Sequence, residues 1–541
     1  MKPQALFCQT AMAAAVAAAF TAGPAFGAQQ IIGGGASAVN TSAQFIILND
    51  YCAGATNIVF YDNGKAPANT TAAPFSSPGG SVWRITCNGT STTKFTSGVD
   101  VSYDTTGGSW KGLIAADSAN LLTAAAQSTT ANPFPLSTVN QSGTTIANYI
   151  AKVFTGTFTF TYVYAAGISI IPPGATVTFG LTDVEPSLFL NQYNEPLVNS
   201  TWDGTNGSVA AGTAEYASSS LFAPTAHTFT GSAGSASTPY PAFGEIFGVA
   251  ASPKLYLALQ KDQSALGVLP TTCVASTATV ANADSLCTPY ISKAQYASLV
   301  GGVNSFTAGG AGLTPLFVSI VPADASLEVA RRDQGSGTQS SSNAYFLGQG
   351  CVLGTEAINA PFIPNDSGVN QGGTTATELQ LFYSYNFTTG GVIGRVNVPA
   401  AATAPSAGFI ATASNPVPAA IPGQALTPTL QPGPTSGFVI GVVGASQAGA
   451  LTGGAGFLKL DGFYPNTANA NLGLYNYVST EHFYANPSAS GDGLTFVVDL
   501  LGVNGVAAAE TLAGFSGTGT VQFSASNWYN SASMCQGWQH K

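Results

Sequence analysis

The densest chemistry in the chain is the run Arg331-Arg332-Asp333-Gln334-Gly335-Ser336-Gly337-Thr338. Two guanidinium groups precede hydroxyls and glycine N–H groups. Gly-Ser-Gly-Thr at a strand-to-helix turn exposes several backbone N–H groups in one direction, and a helix N-terminus adds a partial positive charge. An arginine supplies a full charge and a forked donor. The guest that suits this set is a small anion rich in acceptors. A Gly/Ser/Thr cluster alone is ordinary loop punctuation in a chain with 63 glycines. The arginines separate this one from the rest, because the whole chain holds only 14 Lys plus Arg.

Such a loop needs a strand to feed it and a helix to leave it. The apolar run at residues 316–321 predicts the strand, and residues 339–347 predict the helix. The same grammar recurs upstream. Residues 29–32 predict a short strand, followed by a glycine turn at 33–38 and a helix through residue 48. Residues 99–103 alternate as a strand does and run into Gly107-Gly108-Ser109, a second helix start able to face an anion. Residues 154–164 alternate aromatic and threonine positions, which predicts a half-buried strand.

Arg-Arg-x-x-Gly-Ser-Gly-Thr resembles the signature loop of the phosphate-binding receptors of bacterial ABC phosphate importers, a branch of the type II periplasmic binding proteins. The resemblance extends to the glycine turn before Ser37, the Gly-Ser pair at Ser109 and Leu181-Thr182-Asp183. It continues through the segment at 290–301, where Ser292 and Gln295 stand, and the segments at 459–467 and 473–479. It covers about half of the chain. It implies an α/β, two-lobed type II periplasmic-binding-protein fold with β-rich insertions. Lobe 1 would comprise residues 28–250 plus 475–541, with insertions at about 117–173 and 191–241. Lobe 2 would comprise residues 251–474. Residues 245–250 and 254–259 resemble the strand that crosses between lobes, and residues 491–512 would add a helix to lobe 1. The implied phosphate-binding residues are Ser37, Ser109 and Asp183 from lobe 1 and Arg332, Ser336, Gly337 and Thr338 from lobe 2. Arg331 is expected to matter less than its neighbour. Trp110 and Lys111 depart from the small residues usual beside Ser109.

Composition bounds the alternatives. Of 541 residues only 7% are charged, against about a quarter in ordinary soluble domains. The net charge of −10 argues against nucleic acid and against anionic membrane surfaces. It also means that local dipoles and one or two arginines must do the capturing. Mean hydropathy is positive, yet no uninterrupted apolar run is long enough to span a bilayer. Residues 1–27 read as a signal peptide, with Lys2 at the start, an apolar core at 11–22 and Ala25-Phe26-Gly27 as the cleavage site. Export to the periplasm or beyond the cell is therefore expected, without a membrane anchor. The mature chain keeps Cys52, Cys87, Cys273, Cys287, Cys351 and Cys535. An even count in an exported chain suggests disulfides. Proximity favours Cys273–Cys287 and Cys52–Cys87, which leaves Cys351 with Cys535.

Catalysis finds little footing. There is no G-x-S-x-G elbow, and His227, His482 and His540 are dispersed, without metal-ligand spacing. The chain is expected to be no enzyme and to need no cofactor or metal. Its expected partner is phosphate or a similar tetrahedral oxyanion, together with an ABC permease. The alternative is a secreted surface or matrix protein that keeps the fold with a weak or lost anion site.

Overall fold

The computed structural model describes residues 30–63, 82–88, 95, 98–105, 108–109, 112, 144–153, 156–164, 178–185, 188, 194, 241–275, 277–301, 316–319, 326–332, 335–349, 369–370, 380–386, 389–397, 438–485, 496, 520–521, 528–529 and 539–540. The signal peptide, Trp110, Lys111, Cys351, Cys535, His227 and residues 399–434 lie outside them. So do almost all of the insertion at 191–241 and of the helix expected at 491–512.

The strands in chain order are β1 (Gln30–Gly35), β2 (Asn57–Asp62), β3 (Val82–Asn88), β4 (Val99–Asp104), β5 (Thr144–Val153), β6 (Gly156–Tyr164), β7 (Phe179–Thr182) and β8 (Pro241–Ala251). Then follow β9 (Tyr290–Ile291), β10 (Ser326–Arg332), β11 (Val369–Asn370), β12 (Gln380–Asn386), β13 (Val439–Gly444), β14 (Gly456–Phe457), β15 (Lys459–Leu460), β16 (Val478–Ala485) and β17 (Thr520–Val521). Most of them join one mixed sheet in the order β11-β12-β10-β13-β8-β16-β7-β1-β4-β3-β2-β6-β5. β1 runs parallel to β4 and to β7. β10 runs parallel to β12 and to β13. The two parallel sets are joined through β8, which pairs by residues 247–251 with β13 and by its earlier residues with β16. β16 in turn pairs with β7.

Helices cover this sheet where its strands are apolar on alternate positions. They are α1 (Asn40–Ile46), α2 (Pro253–Ala265), α3 (Lys293–Val300), α4 (Gly337–Leu347), α5 (Thr389–Val396) and α6 (Thr467–Asn471). β13 shows the two-faced logic. Ile440 and Val442 pack with Leu255, Leu259, Tyr296 and Phe346 of α2, α3 and α4. Val439 and Val443 pack with Val392, Ile393 and Val396 of α5. Successive side chains of a strand point to opposite faces, so a strand apolar on both must be covered on both. Glu328 of β10 and Arg395 of α5 form a buried two-pronged ion pair, each contact 2.5 Å. It ties α5 to the strand that carries Arg332. A third cluster lies over the other strand set, where Phe45 and Tyr51 pack with Trp83, Tyr103, Phe160 and Phe179.

Several sequence expectations match. The segment at 117–173 contains an antiparallel hairpin, β5–β6. Its strand β6 extends the main sheet by pairing in parallel with β2. Phe160 and Tyr162 are buried while Thr157 and Thr159 are exposed, as the alternation predicts. Ser292 and Gln295 form a capping box at the start of α3, which satisfies two orphan donors reciprocally. Cys52–Cys87 and Cys273–Cys287 are disulfides.

Three expectations are corrected. The strand feeding the arginine loop is β10; of the run 316–321, the described residues 316–319 form no strand. Val318 and Ser319 donate their backbone N–H groups to the Asp262 carboxylate, so this apolar run caps onto α2 instead of entering a ladder. Residues 254–259 belong to α2, not to the crossing strand. Pro253 at the first turn after Ser252 is a helix-start signal. Gly33, Gly34 and Gly35 lie within β1, and the turn comes afterwards. Gly33 pairs within the ladder, and a side chain there would overlap the Phe179 ring at 2.2 Å.

Candidate functional site

The sheet sends its parallel strands toward one region, and the candidate residues sit just past their carboxyl ends. Ser37 follows β1, Ser109 follows β4 and Asp183 follows β7. Arg332 ends β10, and Ser336 precedes α4, which begins at Gly337 and Thr338. Crevices beyond the carboxyl ends of parallel strands are where open α/β sheets take ligands.

Close backbone approach makes this convergence possible. A Cβ on Gly112 would lie 2.0 Å from the Leu181 carbonyl oxygen, and one on Gly180 would lie 1.7 Å from the Gly112 oxygen. A Cβ on Gly35, at a φ of 131°, would also meet Leu181 at 2.0 Å. Only glycine lets the turns after β1 and β4 press against β7 at these positions.

All seven predicted residues come together. The Arg332 Nη1 group donates to Ser37 Oγ at 3.4 Å. The Asp183 N–H donates to Ser109 Oγ at 3.3 Å, and Thr338 Oγ1 donates to Asp183 Oδ2 at 3.4 Å. A Cβ built on Gly337 would lie 2.3 Å from Ser109 Oγ and 2.8 Å from the Asp183 Cβ. A Cβ on Gly108 would come within 3.3 Å of the Ser336 Cα and 3.8 Å of Arg332 Nη2. Ser109, Asp183, Arg332, Ser336 and Thr338 are all buried, and Ser37 is half-buried. Ser336 is the N-cap of α4, yet its side chain makes no capping hydrogen bond. Arg331 and Arg332 both line a small cavity with Tyr296, Thr338, Gln339 and Ser342.

The structure also adds residues that sequence reasoning missed. The carbonyl of Asn386, at the end of β12, accepts from Arg332 Nε at 3.1 Å, and Thr389 Oγ1 accepts from Nη1 at 2.9 Å. Asn194 accepts from the Gly335 N–H at 2.8 Å and from Asn343 Nδ2 at 2.9 Å, bracing the loop from the segment that follows β7. The motif match fades after Cys351, so only the position of Thr389 beyond a strand could have marked it.

Electrostatics at the site centre on Asp183. Burial pushes its carboxyl up from 3.8 to about 6, against the opposing pull of Arg332 and of hydrogen bonds from Ser109 and Thr338. Its Oδ1 has no hydrogen-bond partner among the described residues. Burial holds Glu481 well above the usual carboxylate range, with the charges of Asp183 and Glu245 adding to the effect. Burial does the same for Glu245, against a hydrogen bond from Ser446. Burial lowers His482 to about 3, leaving it neutral. Among the described residues no group of His, Cys, Asp and Glu is arranged to hold a metal ion. No helix among them is long and apolar enough to cross a membrane. The arrangement gathers a guanidinium, hydroxyls and a helix start without a side-chain cap around one carboxylate acceptor.

No family model and no curated protein matches the chain. Two solved structures are similar to it in part. One is a protein from Clostridium perfringens described as a phosphate ABC transporter substrate-binding protein with bound phosphate. Its identity is 10% and its TM-score 0.24, over 52% of this chain and 70% of that one. The other is an ABC-type phosphate transport receptor from Vibrio cholerae, at 9% identity and a TM-score of 0.23, over 50% of this chain and 68% of that one. Likeness at that level leaves the function to be argued from this chain's own residues.

Proposed function

We propose that the chain is an exported solute-binding protein that captures an oxyanion, inorganic phosphate first, in a cleft between two lobes. Residues 28–250 with 475–541 would form one lobe and residues 251–474 the other. One observation carries this reading. Ser37 and Arg332 lie 295 residues apart and Ser109 and Asp183 lie 74 apart, yet Ser37 meets Arg332, and Ser109 and Asp183 meet the start of α4. Three separate chain segments thus bring donors together, beside a single carboxylate acceptor from a fourth.

That acceptor favours phosphate over sulfate. Phosphate near neutral pH still carries a proton, and an ionised carboxylate can only accept. Asp183 would take the P–O–H hydrogen bond, whereas a bare sulfate oxygen would face it unpaired. Charge-assisted hydrogen bonds of about 1.5–3 kcal/mol each would offset dehydration of the anion. β8 and β16, which join the two strand sets, are the natural hinge for closure around the guest. The disulfides fit an oxidising compartment, and delivery to an ABC permease would complete the role.

Equilibrium dialysis of the mature protein against labelled phosphate tests the proposal. Retention at micromolar phosphate, undisturbed by excess sulfate, is the expected result. No retention at millimolar phosphate would overturn it in favour of a secreted surface or matrix role.

A further inference from the structure

β12 runs parallel to β10 with its register fixed from Ser326–Gln380 to Arg332–Asn386. Its carboxyl end therefore emerges beside Arg332, in line with the ends of the strands that carry the other site residues. Thr389 stands there, at the first position of α5. We propose that Thr389 is a positioning residue of the oxyanion site: its hydroxyl fixes the Arg332 guanidinium and orients Ser37 toward the guest. The proposal deepens the phosphate reading and rests on it.

The geometry has two parts. Arg332 is anchored along one edge by a single short segment, with Asn386 O accepting from Nε at 3.1 Å and Thr389 Oγ1 accepting from Nη1 at 2.9 Å. A long side chain loses much rotamer freedom when it binds. Two anchors spaced like the guanidinium fork fix its plane before a guest arrives. The second part is polarity. Arg332 Nη1 lies nearer to Thr389 Oγ1, at 2.9 Å, than to Ser37 Oγ, at 3.4 Å, so Thr389 is the stronger acceptor of the cation and offers its own hydrogen to Ser37 Oγ, 3.1 Å away. Ser37 then has its hydrogen left for the guest. The chain Arg332 to Thr389 to Ser37 sends every donor in one direction, and hydrogen bonds in such chains strengthen one another. A guest with bare acceptor oxygens on that side matches it.

Thr389 is half-buried, so Thr389→Val is a shape-conserving test that replaces the hydroxyl by a methyl. Phosphate affinity by titration should fall about tenfold, the size of one charge-assisted hydrogen bond. Thr389→Ser should recover most of that loss, because it keeps the oxygen. In an Arg332→Ala background, Thr389→Val should cost less than about twofold more, since two groups acting through one contact are not additive. A thermal melt checks that each variant is folded, and Thr389→Ala serves if the valine variant is not. Wild-type affinity in the folded Thr389→Val protein would overturn the inference alone. So would an undiminished loss in the Arg332→Ala background. Failure of the unaltered protein to bind phosphate would instead overturn the phosphate reading itself, and the inference with it.

Discussion

Asp183→Asn should change selectivity, affinity and the pH dependence of stability together. The carboxyl is buried and raised to about 6, so it is mostly ionised near neutral pH and partly protonated in mild acid. As the amide, it loses a charged acceptor for the P–O–H group, which should weaken phosphate by about ten- to a hundredfold, the range of one hydrogen bond to a charged group. Sulfate should bind better, because an amide donates as well as accepts. The phosphate-to-sulfate ratio should then collapse by at least about a hundredfold, well inside what one unmatched buried polar group can impose. Stability should move the other way. A carboxyl whose pKa is higher in the fold than in the unfolded chain favours folding when protonated. That contribution is complete below the ordinary value of 3.8 and is lost as pH rises through about 6. Ionising the buried group costs about 3 kcal/mol, at roughly 1.36 kcal/mol per pH unit. The asparagine variant should therefore gain on the wild type as pH rises through that window and hold its lead above it. Competition titration and denaturant unfolding across that range read both effects. An unchanged ratio would put Asp183 outside the site, and a pH-independent stability difference would refute its burial as a titrating carboxyl.

Gly337→Ala should abolish phosphate binding while the protein stays folded, because the added methyl lies 2.3 Å from Ser109 Oγ and 2.8 Å from Asp183 Cβ; titration with a thermal melt alongside reads both. Glu481→Gln should stabilise the protein more in mild alkali than in mild acid, since burial favours the protonated acid and neither oxygen has a hydrogen-bond partner among the described residues; equal gains at both pH values would contradict that. Replacing Cys273 and Cys287 by alanine opens a 14-residue separation and should cost about 3 kcal/mol by loop-closure entropy, with phosphate affinity unchanged. Mass mapping without reductant should find no free thiol in the mature chain.

How far the site could be read from sequence depended on how local each signal was. Ser37, Ser109, Arg332 and the Gly-Ser-Gly-Thr turn announce themselves, because a strand end, a small-residue turn and a hydroxyl fall within a few residues. Thr389 does not. Its strand, β12, reads Gln-Leu-Phe-Tyr-Ser-Tyr-Asn, and its neighbour in space is Arg332, which no spacing reveals. Residues 316–321 show the opposite failure. Their apolar pattern is that of a strand, but Asp262, more than fifty residues upstream, takes the backbone donors of Val318 and Ser319. Residues 254–259 carry equally apolar positions, and there the local Ser252-Pro253 signal was the better guide. The burial of Glu245 and Glu481 was illegible for a related reason. Charged residues are rarely placed in a core unless paired, and their neighbourhood arises where β8 and β16 join the two strand sets.

The central claim is that Arg332 and the segments around it hold phosphate. Calorimetric titration of the mature protein and of its Arg332→Ala variant, side by side near neutral pH, tests it most directly. The unaltered protein should bind phosphate at micromolar concentration or tighter and the variant at least about tenfold more weakly, since a charged hydrogen bond exceeds about 1.4 kcal/mol. No heat at millimolar phosphate, or equal affinity in the two proteins, would contradict it.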